Sequence, residues 1–290
     1  MNPLLVAEQS LNGLQLGLML FMMGAGMTLM LGIMNLVNLA YGALYMLGAY
    51  FVVTFQWWTG SFLIAAAGSL LATAVAGIAM ETSMLRQLYG RSYLDQVLCT
   101  IGLSMFLNEA VRLIWGGRPL HMGVPPILAG TVELLPGLNY PILRLAIIAV
   151  GVVVGAGLYL LIAHTKIGIQ IRAGAANRAM AGVMGINIKA LFTLIFALGA
   201  ALAGLAGIMA GPLLSVGINM GDSILVLTLV VIVIGGIGSV RGALVAAILV
   251  GFIDTWARLL LPSALGDIGI YLLMAGVLFL RPRGLFPGTT

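Results

Sequence analysis

The chain has 290 residues, of which 62% are hydrophobic and 7% charged, with a net charge of +5 and a mean hydropathy of +1.17. A water-facing surface needs roughly a quarter to a third of its residues charged, so a soluble globular protein is excluded and an all-α polytopic membrane protein is left. The one cysteine, Cys99, rules out an internal disulfide, and the small positive balance in so apolar a chain reflects membrane topology rather than nucleic-acid binding.

A membrane-crossing helix needs about 20 mostly apolar residues. On that ruler nine segments qualify, within a range of eight to ten: 11–34, 38–56, 61–81, 95–115, 141–163, 188–210, 223–238, 242–261 and 266–281, the seventh and ninth being short. Residues 1–290 read as a single transmembrane domain, and the start, Met1-Asn2-Pro3, has no basic region ahead of its apolar run, so no removable signal peptide is expected. The connections at 82–94, 164–189 and 239–241 and the tail carry nine Lys and Arg, whereas the opposite face holds only Arg112, Arg118, Arg144 and Arg258. Basic loops stay in the cytoplasm, which places the carboxyl terminus inside and, with nine spans, the amino terminus outside.

The segment 164–189 is the most distinctive. It contains Lys166, Arg172, Arg178 and Lys189 and no carboxylate, with small residues Gly174, Ala175, Ala176, Ala181 and Gly182 that permit close backbone approach. It is expected to hold a helix around 168–186 that docks on a cytoplasmic partner, with Gly185 just past the helix in a left-handed conformation. The outer segment 116–140 has Pro119, Pro125, Pro126 and Pro136 among its residues, too many breakers for a continuous helix, and reads as a loop with at most one turn of structure.

Two polar clusters interrupt the apolar runs in corresponding ways: Asn35-Leu36-Val37-Asn38, followed by Tyr41-Gly42, and Asn219-Met220-Gly221-Asp222. Each places two short polar side chains three apart just before a helix, where such residues cap free N–H groups. A sharper reading makes Asn35, Asn38, Tyr41, Asn219 and Asp222 part of a substrate pathway at the broken helices of an inverted repeat. Gly199, Ala203, Gly207 and Gly211 fall four apart, a seam for close helix packing. Glu81, Glu109, Asp222, Asp254 and Asp267 lie in or near spans; Glu109 and Asp254 each have an arginine within one turn, at Arg112 and Arg258, and local ion pairs are expected. His121 and His164 stand far apart without a nucleophile, and the glycine run at 235–242 lacks the Gly-Lys-Ser/Thr of a phosphate loop, so no catalytic or nucleotide site is expected in this chain.

Three segments carry a family resemblance. Residues 32–50, with Asn35, Asn38 and the run Tyr41-Gly42-Ala43-Leu44-Tyr45-Met46-Leu47-Gly48-Ala49-Tyr50, resemble a signature of branched-chain amino acid ABC permeases, the leucine/isoleucine/valine type. Gly168, Arg172-Ala173 and Gly185-Ile186-Asn187 resemble that family's cytoplasmic loop, and Gly235-Gly236-Ile237-Gly238-Ser239 its glycine turn; with Arg281-Pro282-Arg283-Gly284 near the end the resemblance spans nearly the whole chain. Tyr41 stands where the family usually has histidine, and Ala179-Met180-Ala181 stands where the general importer motif has a glutamate first.

The resemblance implies a permease subunit in a bacterial inner membrane that pairs with a second homologous permease, two cytoplasmic ATPases and a periplasmic binding protein. ATP and Mg would be bound by the ATPases, and this chain would carry no cofactor. Arg172, Arg178, Ala181, Gly185 and Asn187 would then belong to the element that couples ATP hydrolysis to transport. Related importers carry urea, short amides or aromatic acids as well as branched-chain amino acids. A secondary transporter or channel is the other class, and it would require a buried, essential carboxylate.

Overall fold

The computed structural model describes residues 3–260, 262, 266 and 268–286. Among them are the helices α1 (Pro3–Met34), α2 (Tyr41–Thr59), α3 (Phe62–Ser83), α4 (Tyr93–Trp115), α5 (Ile142–His164), α6 (Lys166–Ala176), α7 (Arg178–Val183), α8 (Ile188–Ala210), α9 (Met220–Gly235), α10 (Val240–Leu260) and α11 (Ile268–Leu280). Each expected span is a helix, and α1, α3, α4, α5, α8 and α10 are long and apolar enough to cross a membrane. The others fall short for different reasons: α9 has 16 residues and α11 has 13, while α2, with 19, is rich in Tyr and Trp. Asp267 lies outside the described residues.

All nine loop and tail cations sit at one end of the bundle. Arg86 reaches Thr193 at the start of α8, Arg241 lies over Tyr159 near the end of α5, and Gly236 and Gly284 meet where the tail folds under α9. The other end holds Arg112, Arg118, Arg144 and Arg258; there Arg144 and Tyr140 both bond Asn12 on α1.

The helices α1, α2, α3 and α4 have antiparallel counterparts in α8, α9, α10 and α11. Non-helical residues 35–40 lead from the basic end into α2, and 211–219 lead from the opposite end into α9. The hydroxyl of Tyr41 donates to the carbonyl of Gly199, the midpoint residue of α8, at 2.8 Å, so α2 begins halfway along its neighbour. Gly42 and Gly221, each second in its helix, abut there: a Cβ on Gly42 would lie 2.6 Å from the Gly221 carbonyl oxygen. The halves also cross-pack, α1 against α10 and α3 against α8. The two sets of four helices thus run in opposite, inverted directions, and the starts of α2 and α9 meet inside the bundle.

Close backbone contact holds the centre together. α1 is buried on every side from Gly17 to Met30, and α2 from Tyr41 to Tyr50. A Cβ on Gly26 would fall 2.9 Å from Gly199 Cα, and one on Gly48 2.5 Å from Gly204 Cα. The expected seam on α8 therefore faces two partners: Gly199 meets α1, Gly207 meets the α2 backbone at Tyr45 and Ala49, Ala203 is buried between them, and Gly211 touches Met122. Apolar burial gives no drive in lipid, so this dispersion contact is what associates the helices.

The outer segment departs from expectation. It contains a short turn at Pro126–Leu128 and a hairpin, β1 (Thr131–Leu135) with β2 (Leu138–Pro141), closed by Pro136-Gly137. Glu133 accepts from the Gly137 N–H at 2.9 Å, and Leu120 pairs with Val216 of the 211–219 segment. The proline count hid this hairpin, although Pro-Gly between alternating residues is a turn signal.

Gly221→Ala should destabilise the protein by about 1–3 kcal/mol, the usual cost of overpacking, because its Cβ meets the Gly42 backbone. Gly102→Ala, on α4 with nothing within 4 Å, should instead gain up to about 1 kcal/mol from helix propensity. Unfolding midpoints of purified protein in mild detergent check both.

Candidate functional site

At the basic end, each short element is started by a side-chain cap. Thr165 accepts from the Gly168 N–H (3.1 Å), Asn177 from Met180 (2.9 Å) and Asn187 from Ala190 (3.1 Å), fixing the starts of α6, α7 and α8. The single helix expected over 168–186 is thus two, because Asn177, extended at φ −157°, ends one and caps the next. At the end of α7 the Ile186 N–H reaches the Ala181 carbonyl and Gly185 takes φ +88°, the left-handed closure expected of that glycine. Ala181 is buried beneath it.

The arginines of this segment turn toward the bundle. Arg172 donates to the Ile162 carbonyl and so closes the end of α5. Arg178 is half-buried with its guanidinium 5.5 Å over the Phe192 ring of α8, and burial pulls its pKa below the usual arginine value. With its amide turned so that Nδ2 donates to Leu31, Asn35 accepts from Arg178 Nη2 at 3.1 Å. Asn35 and Arg178, placed by sequence in two different sites, are therefore joined. What α7 presents outward is apolar: Met180 (58% exposed), Val183 (84%) and Met184 (79%).

Sequence reasoning named Glu81 only as a carboxylate near a span and missed the polar group it anchors beside this one. Glu81, buried at the end of α3, accepts two hydrogen bonds from Arg86 (3.1 and 3.0 Å), one from Tyr89 (2.7 Å) and one from Thr193 (2.8 Å). The Tyr89 ring stands edge-on to Phe192, centroids 5.1 Å apart. Burial, followed by the bond to Glu81, raises the Tyr89 pKa, and the Glu81 carboxylate raises that of Arg86. The five-residue spacing of Glu81 and Arg86 escapes a search at helical i+3 and i+4. The two local pairs that such a search did find are present, Glu109 with Arg112 (3.7 Å) and Asp254 with Arg258 (2.8 Å).

The two polar clusters differ from simple caps. Asn38 is buried and its Oδ1 accepts from the Ala40 N–H (3.0 Å), forming a turn ahead of α2, whose own N-cap is Ala40. Asn219 precedes α9 with φ +64° and makes no side-chain cap, and Asp222 is exposed with no side-chain bond among the described residues. The αL backbone directs the Asn219 side chain away from the N–H groups it was expected to cap. Tyr41 is wholly buried. Asn219 instead lines a cavity of about 360 Å³ at the end away from the basic loops, with Met105, Asn108, Glu109, Arg112, Gly117 and Ile218. Among the described residues no three His, Cys, Asp or Glu side chains converge to hold a metal ion.

A polytopic helical bundle with the starts of α2 and α9 meeting inside it and a capped two-helix segment at its basic end is an architecture compatible with a transport permease. Residues 9–280 match the family described as branched-chain amino acid transport system / permease component, and the chain belongs to that family. It is 30% identical over 293 residues to the high-affinity branched-chain amino acid transport system permease protein BraD of Pseudomonas aeruginosa, covering 96% of this chain and 94% of the relative. To LivH of Escherichia coli K12, described in the same terms, it is 28% identical over 293 residues with the same coverage. A probable branched-chain permease LivH of Methanocaldococcus jannaschii is 33% identical over 110 residues, 38% of this chain and 35% of the relative. No solved structure matches.

Tyr89→Phe should cost about 1.5–3 kcal/mol, since its hydroxyl serves a buried carboxylate, and Glu81→Ala should cost more by stranding Arg86 and Thr193. Asn38→Ala should lose about 0.5–2 kcal/mol, as caps and Asx turns do, whereas Asp222→Ala should change stability by no more than about 1 kcal/mol, the helix-dipole contribution. A fall in transport per folded molecule for Asp222→Ala therefore marks a pathway residue, and unchanged transport removes it from the path.

Proposed function

We propose that the chain is the membrane subunit of an ATP-driven ABC importer that moves branched-chain or other hydrophobic amino acids across the bacterial inner membrane. It would work with a second homologous permease, two cytoplasmic ATPases that bind ATP and Mg, and a periplasmic binding protein, and would carry out no chemistry itself. The supporting observation is the apolar knob of Met180, Val183 and Met184, held out from a basic end by residues tied into α1 and α8. Nine cations at that end against four at the other support a cytoplasmic position for the knob and the carboxyl terminus under the positive-inside rule.

In this reading a closing ATPase pair displaces α7, and the load passes through Arg178 to Phe192 on α8 and to Asn35 at the end of α1, whose far neighbours are the broken helices. Docking relies on shape and apolar contact, since the glutamate of the general motif is replaced by Ala179. The pathway runs along the face that carries Asn108, Glu109, Arg112 and Asn219. Glu109 and Arg112 have side chains 61% and 62% exposed, and so exposed a pair in a spanning helix is costly against lipid. A second permease closing a polar path over this face removes that cost. Asp222, exposed at the start of α9, lies on the same route.

The test is uptake of labelled leucine by vesicles reconstituted with both permeases, the ATPases and the binding protein, with assembly measured separately. Gly185→Val, which forces a β-branched residue into a left-handed backbone at about 1–2 kcal/mol, and the pair Arg172→Ala/Arg178→Ala should each reduce binding-protein-stimulated ATP hydrolysis and uptake about tenfold in assembled complex. Val183→Glu/Met184→Glu should weaken ATPase attachment itself. Wild-type rates in all three remove this segment from coupling. Uptake of urea or aromatic acids in place of leucine replaces the substrate while keeping the mechanism, and uptake without ATPases contradicts the importer.

A further inference from the structure

A cavity of about 1040 Å³ forms a groove between α1, α5 and α10; Asn35 lies on its wall, and none of Asn108, Glu109, Arg112 and Asn219 does. Its origin is visible in the packing. α5 touches α1 closely where Gly151 meets Leu18 and Gly155 meets Phe21, whereas nearer the basic end α6 packs through Gly174 on Leu191 and Ile33. Between those contacts α1 and α5 are held apart, and small residues such as Ala156, Ala163 and Gly32 leave the wedge unfilled.

The walls are apolar along most of their length and polar at one end. Leu14, Leu18, Phe21 and Val152 line the upper part, and Ser239, Arg241 and Arg172 line the mouth at the basic end. Neither arginine has a carboxylate partner: the ion pairs among the described residues are those of Arg86, Arg112 and Arg258. Arg241 lies 5.6 Å over the Tyr159 ring and is second in the 21-residue α10; the Ser239 hydroxyl already accepts from the Gly242 N–H at 3.1 Å, which leaves the N–H groups of Val240 and Arg241 and the helix dipole to favour an anion. Above the mouth, on the groove wall, Thr28 is wholly buried and its hydroxyl has no hydrogen-bond partner. A buried donor without a partner calls for an explanation; of the three such side chains among the described residues, Thr28, Asn38 and Tyr50, Thr28 is the one that lines this groove.

We propose that this groove is a binding site for an anionic phospholipid of the surrounding membrane. The phosphodiester sits at Arg241, Arg172 and the start of α10; Thr28 donates to an ester carbonyl; and an acyl chain fills the wedge between α1 and α5. The order of the features along the groove selects this ligand. The groove's volume, about 1040 Å³, lies at the upper end of the range for small-molecule pockets, about 300–1,000 Å³, so the choice rests on that order. The sequence of anion site, lone hydroxyl and long apolar channel is that of a lipid entering from the leaflet at the basic end. A free phosphate accounts for the mouth and leaves the channel and Thr28 unused.

The experiment uses the intact permease assembly in nanodiscs of phosphatidylcholine containing phosphatidylglycerol that bears a photoreactive acyl chain, with photoreactive phosphatidylcholine as the control. Cross-links should map to the groove faces of α1, α5 and α10, at least fivefold above the phosphatidylcholine control. Arg241→Gln should remove the preference for phosphatidylglycerol, and Ala156→Trp, which fills the wedge at an exposed position, should abolish groove labelling while labelling elsewhere persists. Equal labelling by both lipids, unchanged labelling in both variants, or loss of labelling in 10 mM inorganic phosphate would overturn the proposal. So would an Ala156→Cys side chain, in a Cys99→Ser background, that cross-links to the second permease in the assembly, because the groove is then an interface between permeases.

Discussion

Non-helical backbone at 35–40 and 211–219 enters an apolar bundle from opposite ends, and inside a bilayer each of its N–H and C=O groups must find a partner within the protein. The fold is arranged around meeting that demand. Asn38 supplies an acceptor for Ala40, Gln96 supplies one for Val37 at 3.2 Å, and Leu120 exchanges two backbone bonds with Val216 at 2.8 and 2.9 Å. At the far end of α9 the tail closes the helix, with Leu285 and Phe286 donating to the carbonyls of Ile234 and Gly235. The Asn38, Gln96 and Leu120–Val216 bonds serve these two segments directly, while the Glu81 group fixes the α3–α4 connection and Tyr140 and Arg144 tie the outer segment to Asn12.

Once the breaks are satisfied, the central contacts follow from backbone approach. Gly42 meets Gly221 backbone to backbone, and Gly26 meets Gly199 with the Tyr41 hydroxyl and the end of Met30 packed beside them, which is why the two halves interlock through α1 and α8 instead of standing side by side. The same economy leaves α3, α4 and α5 with most of their surface facing outward. Those faces are not equivalent. Polar residues gather beside α4 and the start of α9, arginines and apolar walls gather beside α1, α5 and α10, and the apolar tip of α7 projects from the basic end. One chain thereby offers three chemically different surfaces.

Much of this was legible in the sequence because hydrophobic run length and charge are one-dimensional quantities. The nine runs became nine helices, the cations segregated, the glycine seam on α8 packed, and Gly185 took the left-handed backbone its position implied. What was not legible depended on contacts between distant residues. Phe192 lies 14 positions beyond Arg178, and no local pattern says that the guanidinium stacks on it and turns away from solvent. Small residues in 174–182 suggested that the backbone there would meet a partner, yet Gly174 packs inward and the bulky Met180, Val183 and Met184 face outward. Asn219 had the composition of a cap and lacks the dihedral of one, because the chain reaches α9 through an αL turn.

Inverted halves with α2 beginning inside the bundle make a specific demand on sidedness. Asn35 precedes the 19-residue α2 and Trp58 lies in its last turn, so they must lie on opposite faces of the membrane, with Asn35 on the side of Gly185 and Arg283 and Trp58 on the side of Glu133. Single cysteines at these five positions, in a Cys99→Ser background, can be probed with a membrane-impermeant maleimide in right-side-out and inside-out vesicles. The account expects Trp58→Cys and Glu133→Cys to react in right-side-out vesicles, and Asn35→Cys, Gly185→Cys and Arg283→Cys to react only in inside-out ones. Reaction of Asn35→Cys together with Trp58→Cys from one side, or of Gly185→Cys together with Glu133→Cys, would contradict it.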